Sequence, residues 1–273
     1  MRNALAIGVL LGILCAVVGS YLIVQQMSMI GGVISHAVLP GLSLAFFLGI
    51  DLAVGAFIAG VLSALVVAGI EARSRIKVDA AMSLTLTSFL GLGVMLITLL
   101  GTNRVDLTNI LFGDILGVET ADVWQTLGIT LIVLALVKLF YKELLFYTFD
   151  PLGAQASGLP IAALYLGLIC AITLTIVASM QTVGVLLAIA LLAGPAISAY
   201  LLVKELHQMM ILGAAIGILS SVAGMYGSYY LDIPSGPAIA IATAIIFVLA
   251  FFFSPSQGLL TASRRRQQAK RRE

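Results

Sequence analysis

The stretch "MIGGVISHAVLPGLSLAFFLGID", residues 29–51, decides how this chain is read. It is uncharged and largely apolar apart from His36 and the closing Asp51, and Pro40 and Gly41 interrupt it between the two. So apolar a run belongs in lipid. The part from 36 to 50 is nevertheless too short to cross as a straight helix, so a broken or re-entrant segment is expected there. Interrupted backbone at membrane depth is tolerated only where protein or water covers it.

The rest of the chain agrees with a membrane setting. Of its 273 residues 61% are hydrophobic and 10% charged, and the mean hydropathy is +1.16. A soluble domain of this size needs far more polar surface. Further apolar runs cover 4–24, 52–70, 84–100, 124–145, 160–180, 183–203, 210–229 and 234–253, each near the length of a bilayer span. The first exceeds the apolar core of a signal peptide and is read as a retained span. The expected fold is all-α, a polytopic membrane helix bundle of about eight or nine spans. It divides into one transmembrane domain over 1–263 and a basic cytoplasmic tail over 264–273.

Lys and Arg in the loops set the orientation. If the spans alternate, all of the 14 basic residues except Arg2 and Arg104 fall on one side, the tail "RRRQQAKRRE" among them. That side is cytoplasmic and holds the C-terminus, while the loop with Asp106, Asp114, Glu119 and Asp122 is external. On a membrane protein such a tail touches anionic lipid, not nucleic acid. Gly8/Gly12 and Gly213/Gly217, spaced four apart, read as close helix contacts. Cys15 and Cys170 sit in apolar runs as small buried side chains, not as a disulfide or metal framework. An apolar run broken by adjacent Pro and Gly recurs over 188–202, a faint echo of the inverted repeats of transporters.

The chemistry centres on His36. Proline has no N–H, so Pro40 leaves the carbonyl four residues earlier without its helical partner, and that carbonyl is His36's own. One position then offers an imidazole nitrogen and a backbone oxygen to a first-row divalent cation. The plain alternative is a hydrogen-bonded histidine beside a kink, but an ionisable group inside a membrane marks an ion or proton path. Asp51 lies roughly 22 Å further along a continuous helix. The two share an ion only if the chain bends back at Pro40-Gly41 or Gly49; otherwise they are two stations on one route, with Asp51 near the outer mouth. Alone, Asp51 reads equally well as an exposed helix cap. Asp232, before the last span, reads first as an N-cap and second as part of a negative outer vestibule. His207, beside Lys204 and Glu205, is a solvated loop residue. The segment "YTFDPLGAQASGLP", residues 147–160, reads as a short surface helix that starts at Asp150-Pro151.

Several motifs are missing from the sequence. None of its lysines follows a glycine, so there is no phosphate loop, and neither H-E-x-x-H nor G-x-S-x-G occurs. "LFGD" at 111–114 lacks the first glycine of the intramembrane aspartyl protease pattern. The chain is therefore not read as an enzyme.

Taken in order, "MSMIGGVISHAVLPGLSLAFFLGI", "LFGDIL", "FDPLGAQASGLP", "QTVGVLLAIALLAGPAISAYLL" and "YYLDIPSGPAI" resemble the permease subunit of bacterial ATP-binding-cassette importers for zinc, manganese or iron. The resemblance runs over nearly the whole chain. It implies a homodimer in the bacterial cytoplasmic (inner) membrane, two copies of a separate cytoplasmic ATPase, and an extracytoplasmic solute-binding protein that delivers the metal. It also implies that Asp150, Ala154 and Gly158 belong to the region that couples to the ATPase. His36 and Asp51 match the intramembrane metal site. One departure is "QQMSMIGG", where relatives often carry basic residues before "MS" and an acid after the glycine. No cofactor is implied beyond the transported ion. One imidazole and one carboxylate, with no cysteine near, favour manganese slightly over zinc or iron. The competing class is a proton-coupled secondary transporter or channel that uses His36 and Asp51 as proton groups.

Overall fold

The computed structural model describes residues 2–100 and 115–254. The acidic residues Asp106 and Asp114, the "LFGD" stretch and the basic tail over 264–273 lie outside the described residues. The chain runs through α1 (Arg2–Val24), α2 (Ile30–Leu48), α3 (Leu52–Arg73), α4 (Val78–Leu99), a single 3-10 turn (Ile115–Gly117), α5 (Thr120–Leu139), α6 (Tyr141–Phe149), α7 (Pro151–Ala156), α8 (Ile161–Val183), α9 (Val185–Leu202), α10 (Leu206–Leu231) and α11 (Ser235–Phe253). Among the described residues, 9 helices are long and apolar enough to cross a membrane, all of these except α6 and α7. The architecture is the polytopic helical bundle that the composition demands.

Two helix groups make up the bundle. One is α2, α3 and α4; the other is α1, α9, α10 and α11, and α8 lies between them against α1, α2, α3, α5 and α9. The two helices with a proline in their interior, α2 and α9, each begin a run of three successive helices that pack on one another. Glycines set the tightest contacts. A Cβ at Gly12 would lie 2.7 Å from the carbonyl carbon of Gly217, and one at Gly8 would lie 3.2 Å from Ser221 Cβ. Gly12 and Gly217 thus bring the backbones of α1 and α10 together directly, while Gly8 makes room for Ser221 and Met225 and Gly213 for Ala16 along the same seam. Gly184, at φ 82° and ψ 165°, joins α8 to α9 with a backbone shape that only glycine adopts readily.

Many of the interior hydroxyls are satisfied by their own helix. On α8 the hydroxyls of Thr173, Thr175 and Ser179 donate to the carbonyls of Ile169, Ala171 and Thr175 at 2.8, 2.7 and 2.7 Å. Bonding back to the preceding turn lets a hydroxyl sit where no water reaches. Cys15 is buried, with Sγ 3.6 Å from Ser179 Oγ, and both Cys15 and Cys170 are free thiols.

Three local expectations change. The stretch from 36 to 50 is part of a longer helix: α2 begins at Ile30, runs for 19 residues and passes through Pro40 without a break. Gly31 is helical because it lets Leu192 of α9 pack close, and the bare Gly93 of α4 leaves room for the Pro40 ring. The helix ends only at left-handed Gly49, whose N–H reaches back to Ala45 and Phe46. The apolar run over 124–145 divides at Phe140 into α5 and α6. Asp232 does not cap the last span; it closes α10 in the left-handed conformation at φ 54°, and Pro234 stands at the start of α11. Asp tolerates that backbone better than most residues.

The α1–α10 seam yields a direct test. Gly12→Val should lower the thermal unfolding midpoint of the solubilised protein, through an overpacking penalty on the order of 1–3 kcal/mol. Gly128→Ala, where an added Cβ meets nothing within 4 Å, should leave the midpoint unchanged or slightly raised.

Candidate functional site

His36 projects from the second turn of α2 and is half-buried. Among the described residues its ring makes no hydrogen bond or ion pair. Beside it, the Ser35 hydroxyl is buried and has no partner. Further along the helix the Ser43 hydroxyl donates to the Leu39 carbonyl at 3.0 Å, and Pro40 has no N–H to offer the His36 carbonyl. An unpaired imidazole, a carbonyl that the Pro40 nitrogen cannot serve and a buried hydroxyl without a partner thus share one stretch of helix.

Asp51 lies beyond the far end of α2. It is exposed and is the N-cap of α3, where its Oδ1 accepts the Ala53 N–H at 2.7 Å. The helix from His36 to Leu48 is continuous and covers roughly 18 Å at about 1.5 Å per residue. Within one chain the two side chains therefore do not meet. Among the described residues no three His, Cys, Asp or Glu side chains gather as a metal cage. Asp232 is likewise exposed at the α10–α11 turn. His207, on the first turn of α10, is exposed beside Glu205, with its Nδ1 3.4 Å from the carboxylate, as a solvated residue should be.

At the opposite end of the bundle from Asp51, a polar cleft of ≈ 730 Å³ opens between the α1–α2 turn, the ends of α3 and α4, and the α6–α7 segment. Gln25, Glu71, Lys77, Asp79, Tyr147 and Tyr165 line it. Burial, and then the Glu71 carboxylate, push the Tyr147 phenol above its usual range. Gln25 Nε2 donates to Thr148 Oγ1 at 3.0 Å. Gln25 and Tyr147 stand at the edges of the segments singled out in the sequence, but the others belong to no motif, and nothing in the pattern joins them. Their one signal is the recurrence of tyrosine and glutamine at the margins of apolar runs.

The short helix α7 is built by the three positions that the sequence singled out. Asp150 caps it by accepting the Gly153 N–H at 2.8 Å. Ala154 is fully buried. Gly158, at φ 82°, turns the chain out while Leu159 N–H reaches back to the Ala154 carbonyl. Around this frame Phe149 and Leu152 face outward, Leu152 at 79% exposure. Exposed apolar side chains on this connection between spans suit a protein partner.

Comparison with known proteins agrees with this architecture. Residues 1–254 match the ABC 3 transport family. The manganese transport system membrane protein MntC of Halalkalibacterium halodurans is 43% identical over 270 residues, which cover 99% of this chain and 92% of that protein. The chelated iron transport system membrane protein YfeD of Yersinia pestis is 37% identical over 93% of this chain and 85% of its own length. Among solved structures, PsaBC from Streptococcus pneumoniae in complex with Fab superposes with a TM-score of 0.86 at 38% identity, covering 96% of this chain and 94% of that one. The chain belongs to the ABC 3 transport family.

Proposed function

We propose that this protein is the membrane permease of an ATP-binding-cassette importer that moves a divalent transition metal into the cytoplasm, manganese in the first place. The observation that carries this reading is the family match across residues 1–254, joined to relatives whose names specify manganese and iron. The absence of a phosphate loop from the sequence supports an ATPase on a separate chain. The partners that follow are a cytoplasmic ATPase seated on α7, a second copy of the permease, and an extracytoplasmic metal-binding protein that meets the end holding Asp51 and Asp232. With α2 crossing fully, the basic loops and the C-terminus lie in the cytoplasm and Arg2 lies outside, as the placement of Lys and Arg favours.

In this reading the ion travels by stations. Asp51 meets it at the outer end, and His36, with its own backbone carbonyl, holds it deeper in the bundle. Nitrogen and oxygen donors in small number suit manganese and release it readily, as transport requires. Rearrangement of the two helix groups, driven by the ATPase, would expose His36 alternately to either side.

Uptake of radioactive manganese into vesicles that hold the complete importer tests this. His36→Ala should reduce ATP-dependent uptake by at least the roughly tenfold that even outer-shell partners of a metal contribute. Wild-type uptake in that variant would remove His36 from the path. Asp51 needs two variants because it also caps α3. Asp51→Asn keeps the cap and removes the charge, so uptake should fall while thermal stability holds. Asp51→Ala should lose, in addition, about 1 kcal/mol of stability with the cap. Full transport by Asp51→Asn would reduce Asp51 to a cap.

A further inference from the structure

Movement of α7 has to reach α2 by a physical route, and few are present. The segment over 140–160 packs chiefly on α8 and the end of α5. The polar cleft separates it from the ends of α3 and α4. Among the described residues, the bond from Gln25 Nε2 to Thr148 Oγ1, at 3.0 Å, is the one side-chain hydrogen bond that ties this segment to another part of the chain. Thr148 lies two residues before Asp150, the cap of α7. Gln25 lies one residue after α1 ends, in the turn that joins the two helix groups.

That turn is firmly closed. Gln26 is left-handed at φ 58°, Gln25 N–H bonds to Tyr21, and Met27 N–H reaches back to Leu22 at 2.9 Å. This arrangement fixes the exit of α1 as a Schellman cap does, here without the usual glycine. Ile30 N–H bonds to the Met27 carbonyl at 3.0 Å and Val33 N–H to Met29 at 3.1 Å, so the turn leads directly into the first turn of α2. A displacement at Gln25 is therefore passed on instead of being absorbed by slack chain. His36 follows Ile30 by roughly 9 Å of helix rise.

We infer that the Gln25–Thr148 hydrogen bond is the link through which the α6–α7 segment moves α2, which makes Gln25 and Thr148 positioning residues for transport. The inference rests on the reading of α7 as the ATPase-docking surface. Coupling between distant sites runs through elements that both sites bias, and here that element is the α1–α2 turn.

The test uses the complete importer in vesicles and measures manganese moved per ATP hydrolysed, with copurification of the ATPase read alongside. Gln25→Leu and Thr148→Val should each keep the ATPase bound and hydrolysing, yet move about fivefold less manganese per ATP, the weight of one ordinary hydrogen bond. The double variant should be no worse than either single, as expected of two groups that act through one contact. Thr148→Ser, which keeps the hydroxyl that accepts the Gln25 N–H, should retain the wild-type ratio and guards against a trivial loss of folding. A wild-type ratio in both single variants, or losses that add in the double variant, would overturn the inference. Leu152→Asp reports on α7 itself and should release the ATPase. If the ATPase stays bound to that variant, the docking surface lies elsewhere and the inference falls with it. If Leu152→Asp releases the ATPase while Gln25→Leu transports with the normal ratio, the docking reading stands and only the link fails.

Discussion

Backbone inside a bilayer has no water to bond to, and the rest of this structure depends on that constraint. It explains why α2 stays helical through Pro40 despite the lost N–H, and why Gly31 and Gly32 remain helical residues instead of forming a break. It also explains the hydroxyls along α8, which turn back to the carbonyls of their own helix. The few groups left unsatisfied then stand out. Ser35 is one of them, and it adjoins the histidine that makes no bond of its own.

Much of this fold was legible in the sequence because lipid imposes a simple code of apolar length and flanking charge. The glycine pairs Gly8/Gly12 and Gly213/Gly217 read correctly as contacts, since small residues spaced four apart line one face of a helix. The sequence reads as a shorter, broken α2 because Gly and Pro are breakers in water, whereas in lipid the packing of the helices that carry Gly93 and Leu192 decides the matter. Asp232 was misplaced for a similar reason. Its role depends on a backbone angle that the residue type permits but does not announce.

The candidate site was legible by residue but not by arrangement. His36 and Asp51 were visible as polar exceptions in an apolar run, yet only the continuous helix shows that they occupy different depths. The cleft and the contact between Gln25 and Thr148 join segments far apart in sequence, through side chains common in any loop. No spacing rule predicts such a pairing. It follows from how α8 carries the α6–α7 segment back against the end of α1.

The framing of α7 has a consequence for assembly. Six residues do not hold a helix in isolation, since nucleation is unfavourable and each turn adds little. Its order comes from the Asp150 cap, the seat of Ala154 and the turn at Gly158. A partner docking against Phe149 and Leu152 would thus meet a surface shaped when the chain folded, with little conformational entropy left to lose in the encounter. Such a surface would keep its form from one encounter to the next, because its order comes from the chain itself and not from the partner.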